Sequence, residues 1–219
     1  MSVAPPRSEA ELVARADAIA GYTLGELART RWIAIPDDPR RAKGWAGGLL
    51  EQLLGATAAS RAEPDFPHLG IELKTVPIDP RGVPTESTYV CTMPLDPAVL
   101  GGWDGSWVRR KLGRVLWIPL GGADAPGDRV VGAPIVWSPT ADDDAALRAD
   151  WDELVSLVAS GELWQVDGRR GRVLQVRPKA QDADDTVWAL DEDAGWVRET
   201  PRGFYLRPSF TREILRRSR

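Results

Sequence analysis

The chain has one cysteine, Cys91, and one histidine, His68, among 219 residues. A single cysteine excludes an internal disulfide and a zinc site built on cysteines. A single histidine leaves no second imidazole for a metal site and only one candidate base for a serine-type triad. Neither a Walker-type loop nor a Gly-x-Gly-x-x-Gly segment occurs, so the sequence gives no support to nucleotide hydrolysis.

Long apolar runs are also absent, and none approaches the roughly 18 residues that a membrane span needs. The first residues lead into an acidic amphipathic segment instead of an apolar one, so we expect no signal peptide. We therefore expect a cytoplasmic protein without a membrane partner. With 43% hydrophobic residues the chain can bury a sizeable core, and its length is at the upper end for one domain.

Charge is distributed unevenly, although the net charge is only −4. The segment 169–179 carries five basic residues and no acid, and the segment 198–219 carries seven arginines against two glutamates. Acidic residues concentrate in the segments 142–153 and 182–193. A basic C-terminal third suits a protein that binds phosphate on one face. The alternative is a chance cluster of solvated arginines.

One set of side chains suited to catalysis lies between residues 64 and 77. Residues 70–76 predict a strand on which Glu72 and Lys74 share one face, and Asp65 precedes that strand on a proline-bounded loop. Two carboxylates can hold a hard cation such as Mg²⁺, which can polarise a phosphoryl oxygen, and a lysine can offset charge at the phosphate. The spacing alone is common, so an ordinary solvated Glu–Lys strand face is the alternative.

The rest of the chain predicts helices and strands in mixed order, which is compatible with an α/β fold. Capping signals and apolar periodicity predict helices over 8–21, 44–55, 139–157 and 211–217, and a further helix that begins at residue 23. Apolar and β-branched runs predict strands over 88–93, 115–120, 129–137, 163–166 and 173–176, and a short strand or a loop over 203–206. We expect the strand 88–93 to form a hairpin with the strand 70–76, and we expect the acidic segment 182–195 to be a loop.

Several blocks of the sequence resemble the MutH family of DNA mismatch repair endonucleases. They occur in the order of the family and are Gly21–Leu27, Lys43–Glu51, Gly70–Pro77, Lys111–Pro119, Val176–Ala180 and Pro201–Leu206. The resemblance implies a restriction-endonuclease-like α/β fold, in which helices flank a mixed sheet. It also implies one domain over residues 1–219, made of two lobes around a DNA cleft. The sequence shows no linker that would place the boundary between the lobes.

The resemblance assigns catalytic roles to particular residues. It implies that the metal is Mg²⁺, that Lys74 is a catalytic lysine and that Lys111 is a further lysine near the cleft. The metal ligands that it implies are Asp65, Glu72, the Leu73 carbonyl and Glu51. A glutamate in the leucine-rich segment around Glu51 can also simply point to solvent.

A second set of residues is implied to contact DNA. Arg177 and Lys179 match the loop that reads the sequence GATC, and Tyr205 matches the aromatic residue that senses adenine methylation. Lys43 matches a lysine that supports phosphate contact, with an exposed lysine at a helix start as the alternative. Tyr89 stands where a relative has a phenylalanine near the DNA. Packing in the core beside Phe204 is the alternative for Tyr205.

The implied function is Mg²⁺-dependent nicking of the unmethylated strand at hemimethylated GATC sites in double-stranded DNA. The resemblance implies activation by MutL, which MutS signals, and we expect the enzyme to act as a monomer. One alternative is a restriction-type endonuclease that cuts both strands at GATC. The other is a DNA-binding module without catalysis, against which the intact Asp65, Glu72 and Lys74 argue.

Overall fold

The computed structural model describes residues 3–36, 44–59, 61, 63–122, 124–180 and 184–217. The helices are α1 (Glu9–Ala18), α2 (Leu24–Thr30), α3 (Trp45–Leu54), α4 (Trp107–Leu112), α5 (Ala141–Ala159) and α6 (Pro208–Arg217). The strands are β1 (Glu72–Pro77), β2 (Thr88–Met93), β3 (Val115–Gly121), β4 (Val130–Val131), β5 (Ile135–Trp137), β6 (Leu174–Pro178), β7 (Val187–Asp191), β8 (Gly195–Glu199) and β9 (Arg202–Leu206). The predicted mixed α/β class is confirmed. None of the described helices is long and apolar enough to cross a membrane.

Local capping chemistry sets the starts of the helices where the sequence predicts them. The Ser8 hydroxyl accepts a hydrogen bond from the Glu11 amide at 3.2 Å and begins α1. Thr23 and Glu26 form a reciprocal capping box at the start of α2, as Thr140 and its partner three residues on do for α5. These side chains satisfy backbone donors that a helix start leaves without intrahelical partners.

The chain divides into two compact units. Unit 1 consists of Met1–Glu86, Gly113–Ser138 and Arg212–Arg219, and unit 2 consists of Ser87–Leu112 and Pro139–Thr211. Each unit is assembled from separate stretches of the chain, which explains why no single linker is visible in the sequence. The implied single domain with two lobes around a cleft stays a prediction.

In unit 1, β3 is the central strand of a mixed sheet. It pairs in parallel with β1 and antiparallel with β4 and β5. On one face of this sheet, Leu73, Leu116 and Ile118 join a buried cluster with apolar residues of the three N-terminal helices. Burial of this continuous apolar surface fixes β1 against the helices and leaves the side chains of Glu72 and Lys74 on the opposite face.

Unit 2 contains an antiparallel sheet with the strand order β2-β9-β6. Within β9, Phe204 pairs with Cys91 on β2 and Val176 on β6, and all three side chains are buried. The next residue, Tyr205, pairs with Tyr89 and is only partly buried. Because successive side chains of a strand point to opposite faces, Tyr205 lies on the face opposite the Phe204 core.

Helix α5 is tied to the start of β6 by one carboxylate. Asp150 is buried and accepts hydrogen bonds from the backbone amides of Arg172, Val173 and Leu174 at 2.9, 2.6 and 2.8 Å. Charged acceptors make strong hydrogen bonds, and these amides would otherwise be left without partners beside a strand end. From the sequence alone, Asp150 was visible only as one of several acidic residues in the helix predicted over 139–157.

The predicted hairpin between the first two strands is wrong. Strand β1 pairs in parallel with β3, and β2 pairs with β9, more than a hundred residues away along the chain. The turn residues after β1 do form a local turn, in which the Asp79 side chain accepts from the amides of Arg81 and Val83 at 2.9 Å. After this turn the chain folds back only briefly, with one antiparallel bridge between Ile78 and Pro84 and a hydrogen bond from the Thr85 amide to the Pro77 carbonyl at 3.0 Å. It then continues to β2, which pairs with β9 instead of β1.

Three further predictions of secondary structure need correction. The strand predicted over 129–137 is two short strands, β4 and β5, because the Gly132-Ala-Pro134 segment interrupts it. The strand predicted over 163–166 is a short 3-10 helix, Leu163–Gln165. The segment 182–195 is not a loop throughout, since β7 and the start of β8 form a hairpin within it. Asp182 and Ala183 lie outside the described residues.

Candidate active site

The loop before β1 holds Asp65 in a defined position. The backbones of Phe66 and Ile71 pair with each other, and Gly70 completes the turn at φ +66°, a conformation that favours glycine. The Asp65 side chain is buried, and its Oδ2 accepts a hydrogen bond from the Leu73 amide at 2.8 Å. The loop therefore places the first acid directly beside the strand that carries the second.

Glu72 and Lys74 form a buried ion pair at the start of β1. Lys74 Nζ lies 2.6 Å from Glu72 Oε1, and the side chains are 12% and 2% exposed. The solvated strand face considered as the alternative is therefore excluded for this pair. A buried carboxylate is tolerated only when its surroundings offset the loss of hydration, and Lys74 contributes to this with its positive charge.

The backbone direction of β1 adds one more oxygen to this group. The Glu72 amide donates to the Arg114 carbonyl at 2.9 Å, toward β3, whereas the Leu73 amide donates away from β3 to Asp65. In an extended strand the N–H and C=O of one residue point to the same side. The Leu73 carbonyl therefore points to the Asp65 side of β1, consistent with its predicted role as a metal ligand.

The chemistry of these donors fits Mg²⁺. Asp65, Glu72 and the Leu73 carbonyl offer oxygen only, and hard cations prefer oxygen ligands. His68, on the same loop, is engaged through Nε2 with the Pro6 carbonyl at 2.6 Å. Within the described ranges, no group of three or more His, Cys, Asp and Glu side chains could hold a metal ion together. Mg²⁺ commonly binds through one or two carboxylates, with water and substrate phosphate completing its shell.

The roles of three further residues predicted for the site are not tested by the contacts given above. Glu51 lies on α3, which contacts β1, and its Oε1 lies 3.9 Å from where a side chain at Gly47 would begin. Its role as a metal ligand stays a prediction. Lys111 belongs to unit 2, on α4, so its catalytic role also stays a prediction. Lys43 lies outside the described residues.

A second group of predicted residues comes together in unit 2. Lys179 Nζ lies 4.2 Å from the centroid of the Tyr89 ring, and the rings of Tyr89 and Tyr205 meet edge to face at 5.3 Å. Burial raises the pKa of Tyr89, while its hydrogen bond to Thr92 and the charge of Lys111 act in the opposite direction. The phenol is therefore neutral at physiological pH. The structure thus brings together three of the residues expected at the DNA.

Arg177 lies at the border of this group. It is exposed on β6 and pairs with Gly203 on β9, on the face that carries Tyr205. Its Nη1 lies 3.4 Å from the Ser87 hydroxyl, which also accepts a hydrogen bond from Gln175 at 2.7 Å. Arg177 therefore keeps most of its donors available, whereas Lys179 is already oriented by an aromatic ring.

Sequence reasoning missed Gly203. A Cβ at this position would lie 2.9 Å from Tyr89 Cε2, 3.2 Å from Tyr205 Cε2 and 3.3 Å from Lys179 Cδ. The lack of a side chain thus allows the two rings and the lysine stem to meet over β9. An isolated glycine within a predicted strand is a known sign of such close approach, and it was the available signal.

The basic C-terminal third is only partly available for phosphate. Arg207 donates to the carbonyls of Gly168, Arg170 and Gly171 at 2.8–2.9 Å, and Arg202 donates to the Leu163 carbonyl at 2.8 Å. These guanidinium groups hold loops of unit 2 in place. By contrast, the Arg169 side chain is 95% exposed. The charge pattern of the sequence does not distinguish arginines that bind loop carbonyls from arginines that are exposed and available for phosphate.

The chain matches proteins of known family over nearly its whole length. A family model described as the DNA mismatch repair enzyme MutH matches residues 54–150. The DNA mismatch repair protein MutH of Serratia proteamaculans is 48% identical over 97% of this chain and 94% of its own length. The proteins of the same name from Klebsiella pneumoniae (strain 342) and Shewanella sp. (strain ANA-3) are 48% and 45% identical, also over 97% of this chain, and are covered over 93% and 96% of their lengths.

The buried ion pair predicts a measurable effect on stability. Replacing Lys74 by Met removes the cation that lies 2.6 Å from the buried Glu72 carboxylate, so we expect the free energy of unfolding to fall by about 3 kcal/mol. Arg81→Met is the matched control, because Arg81 pairs with Asp79 at 3.0 Å but its side chain is 84% exposed. We expect that control to lose less than about 1 kcal/mol. Urea unfolding compares the two, and equal losses would contradict the role given to burial.

Proposed function

The chain belongs to the MutH family of DNA mismatch repair enzymes, and from that premise we propose that it is a Mg²⁺-dependent endonuclease that nicks the unmethylated strand at hemimethylated GATC sites. The observation that carries this proposal is the group formed by Asp65, Glu72 and Lys74 at the start of β1. The restriction-endonuclease-like fold of the family agrees with the mixed α/β architecture of the chain.

Asp65, Glu72 and the Leu73 carbonyl would hold the cation. When bound there, Mg²⁺ polarises a phosphoryl oxygen and makes water a better nucleophile. The protein's own contribution is to hold these oxygens in place before DNA arrives. Asp65 keeps one carboxylate oxygen on the Leu73 amide, and this hydrogen bond fixes its orientation toward β1. Such preorganisation removes the cost of reorienting the ligands during the reaction.

Lys74 serves two purposes in this proposal. In the free protein its ammonium group neutralises Glu72 across 2.6 Å. At the phosphate, the same positive charge stabilises the negative charge that develops as water attacks. Because the lysine is 12% exposed and its partner is almost fully buried, its charge acts in surroundings that screen it less than water does.

The group of Lys179, Tyr89 and Tyr205 in unit 2 supports a role in recognising the DNA sequence. In the major groove, guanine presents O6 and N7 as acceptors, and an oriented lysine can donate to them. We assign this contact to Lys179, whose backbone amide also donates to the Pro201 carbonyl at 2.7 Å. The adenine N6 methyl lies in the same groove, and Tyr205, on the surface beside Tyr89, is the residue proposed to sense it. Arg177 is proposed to hold the DNA backbone.

The proposal includes the partners that the family implies. MutL would activate nicking after MutS recognises a mismatch, and the enzyme would act as a monomer. A single active site cuts one strand at a time, so a monomer yields nicks instead of double-strand breaks. This property would preserve the intact methylated strand as the template for repair.

The test uses purified protein, Mg²⁺ and duplexes carrying one methylated, hemimethylated or unmethylated GATC site, with each strand labelled separately and MutL added or omitted. We expect nicks in the unmethylated strand of the hemimethylated duplex, faster with MutL, and no cleavage of the fully methylated duplex. Asp65→Asn keeps an acceptor for the Leu73 amide but loses the charge, so we expect binding to survive while nicking falls by about a hundredfold or more. Binding without cleavage by wild type, or immediate cutting of both strands, would refute the proposal.

A second prediction concerns sequence reading. Lys179→Ala should lower nicking at GATC relative to sites with the guanine changed, at a cost of about 1–3 kcal/mol of discrimination. Arg169→Ala is the control, because that exposed side chain can contact only phosphate in this proposal. It should weaken binding to all sequences alike and reduce the salt slope by about one unit. Unchanged discrimination in Lys179→Ala would remove this lysine from the reading surface.

A further inference from the structure

We propose that Tyr89 is a positioning residue that holds Lys179 for base reading, and that Gly203 determines specificity by leaving the space in which they meet. This inference rests on the proposed function, since it concerns how the reading lysine is oriented. It assigns roles to two positions that the catalytic group in unit 1 does not use.

The first support is the contact between Lys179 and Tyr89. The ammonium nitrogen lies 4.2 Å from the ring centroid, within the distance at which a cation is attracted to an aromatic face. A lysine side chain has many rotamers, and ordering it on binding costs free energy. An ammonium group already held over a ring in the free protein avoids part of that cost when it meets a base.

The second support is the way the ring itself is fixed. The Tyr89 hydroxyl and the Thr92 hydroxyl lie 3.0 Å apart, at hydrogen-bond distance. The Tyr205 ring packs against Tyr89 with an interplanar angle of 63°. Because burial raises the pKa of Tyr89, the phenol stays protonated and Lys179 faces a neutral ring instead of a phenolate. Tyr89 therefore contributes a fixed, neutral aromatic face to the contact with Lys179.

The third support is the position of Gly203. This residue pairs with Thr92 on β2 and with Arg177 on β6, so its backbone is fixed from both sides. Any side chain there would start within 3.3 Å of all three side chains of the group. The contact with Tyr89 Cε2, at 2.9 Å, is closer than real Cβ atoms come to other atoms, so the Tyr89 ring would have to shift. Tyr205 and Lys179 would each have to give by a few tenths of an ångström. Replacement by alanine should therefore disturb reading while leaving the backbone pairing of β9 in place.

The test measures how strongly the enzyme depends on one acceptor atom of the DNA. Nicking rates are compared on a GATC duplex and on the same duplex with 7-deazaguanine, which lacks N7, at the guanine position. For wild type we expect the modified base to reduce the rate by about tenfold. For Tyr89→Leu we expect a reduction of less than about twofold, because its lysine no longer points at N7. Tyr89→Phe keeps the ring and should retain most of the wild-type effect.

Gly203→Ala provides a second, independent variant, and thermal unfolding confirms that each variant is folded. We expect Gly203→Ala to respond to 7-deazaguanine as Tyr89→Leu does. A purely structural role would lower stability but leave the effect of the modified base unchanged, and that result in both variants would overturn the inference. If wild type fails to nick GATC at all, the proposed function is wrong. If wild type shows the tenfold effect and both variants keep it, only the inference is wrong.

Discussion

A carboxylate buried at the start of β1 is the constraint on which the rest of unit 1 depends. Glu72 is 1% exposed, and an isolated charge in such a place would be strongly destabilising. Lys74 offsets that cost at 2.6 Å, and the two side chains share a face because they are two residues apart on a strand. The opposite face of the same strand must then carry the apolar contact, which Leu73 makes with the helices. The Glu72–Lys74 ion pair on one face of β1 and the apolar contact on its other face therefore fix the position of the strand together.

In unit 2 the corresponding constraint is space. The central strand β9 carries Gly203 where β2 and β6 both approach it, and the missing side chain admits two tyrosine rings and a lysine stem. Phe204 takes the core side of the strand, so Tyr205 stays at the surface. Each unit thus contributes a different kind of chemistry. Unit 1 offers oxygen ligands and a lysine, and unit 2 offers an oriented cation beside aromatic rings.

The sequence alone predicts the features that depend on local chemistry. Capping residues such as Ser8 and Thr23 begin helices where their side chains bond nearby amides, and the predicted helices are observed. Strand pairing is not local, so the hairpin between β1 and β2 was predicted wrongly from adjacency and turn residues. The β7–β8 hairpin was missed because the apolar run of β7 is short and acidic residues flank it on both sides.

In the candidate site, too, local patterns could be predicted from the sequence and non-local contacts could not. Asp65, Glu72 and Lys74 form a common pattern, and the family resemblance was needed to select it from the other acids and lysines of the chain. Burial of the pair could not be read from the sequence, because an alternating strand face is equally consistent with solvent. The sequence also could not predict which arginines hold loops in place and which are exposed. Whether a guanidinium group binds loop carbonyls, as that of Arg207 does, depends on contacts that composition does not reveal.

The most direct measurement is a metal-rescue experiment at the phosphate that is cut. One non-bridging oxygen of this phosphate in a hemimethylated GATC duplex is replaced by sulfur, and each stereoisomer is nicked in Mg²⁺ or in Mn²⁺. Mg²⁺ binds sulfur poorly, whereas a softer cation tolerates it better. If Asp65 and Glu72 present a cation to the phosphate, at least one isomer should be nicked slowly in Mg²⁺ and recover in Mn²⁺. Equal rates for both isomers and the unmodified duplex in Mg²⁺ would contradict metal contact at the phosphate.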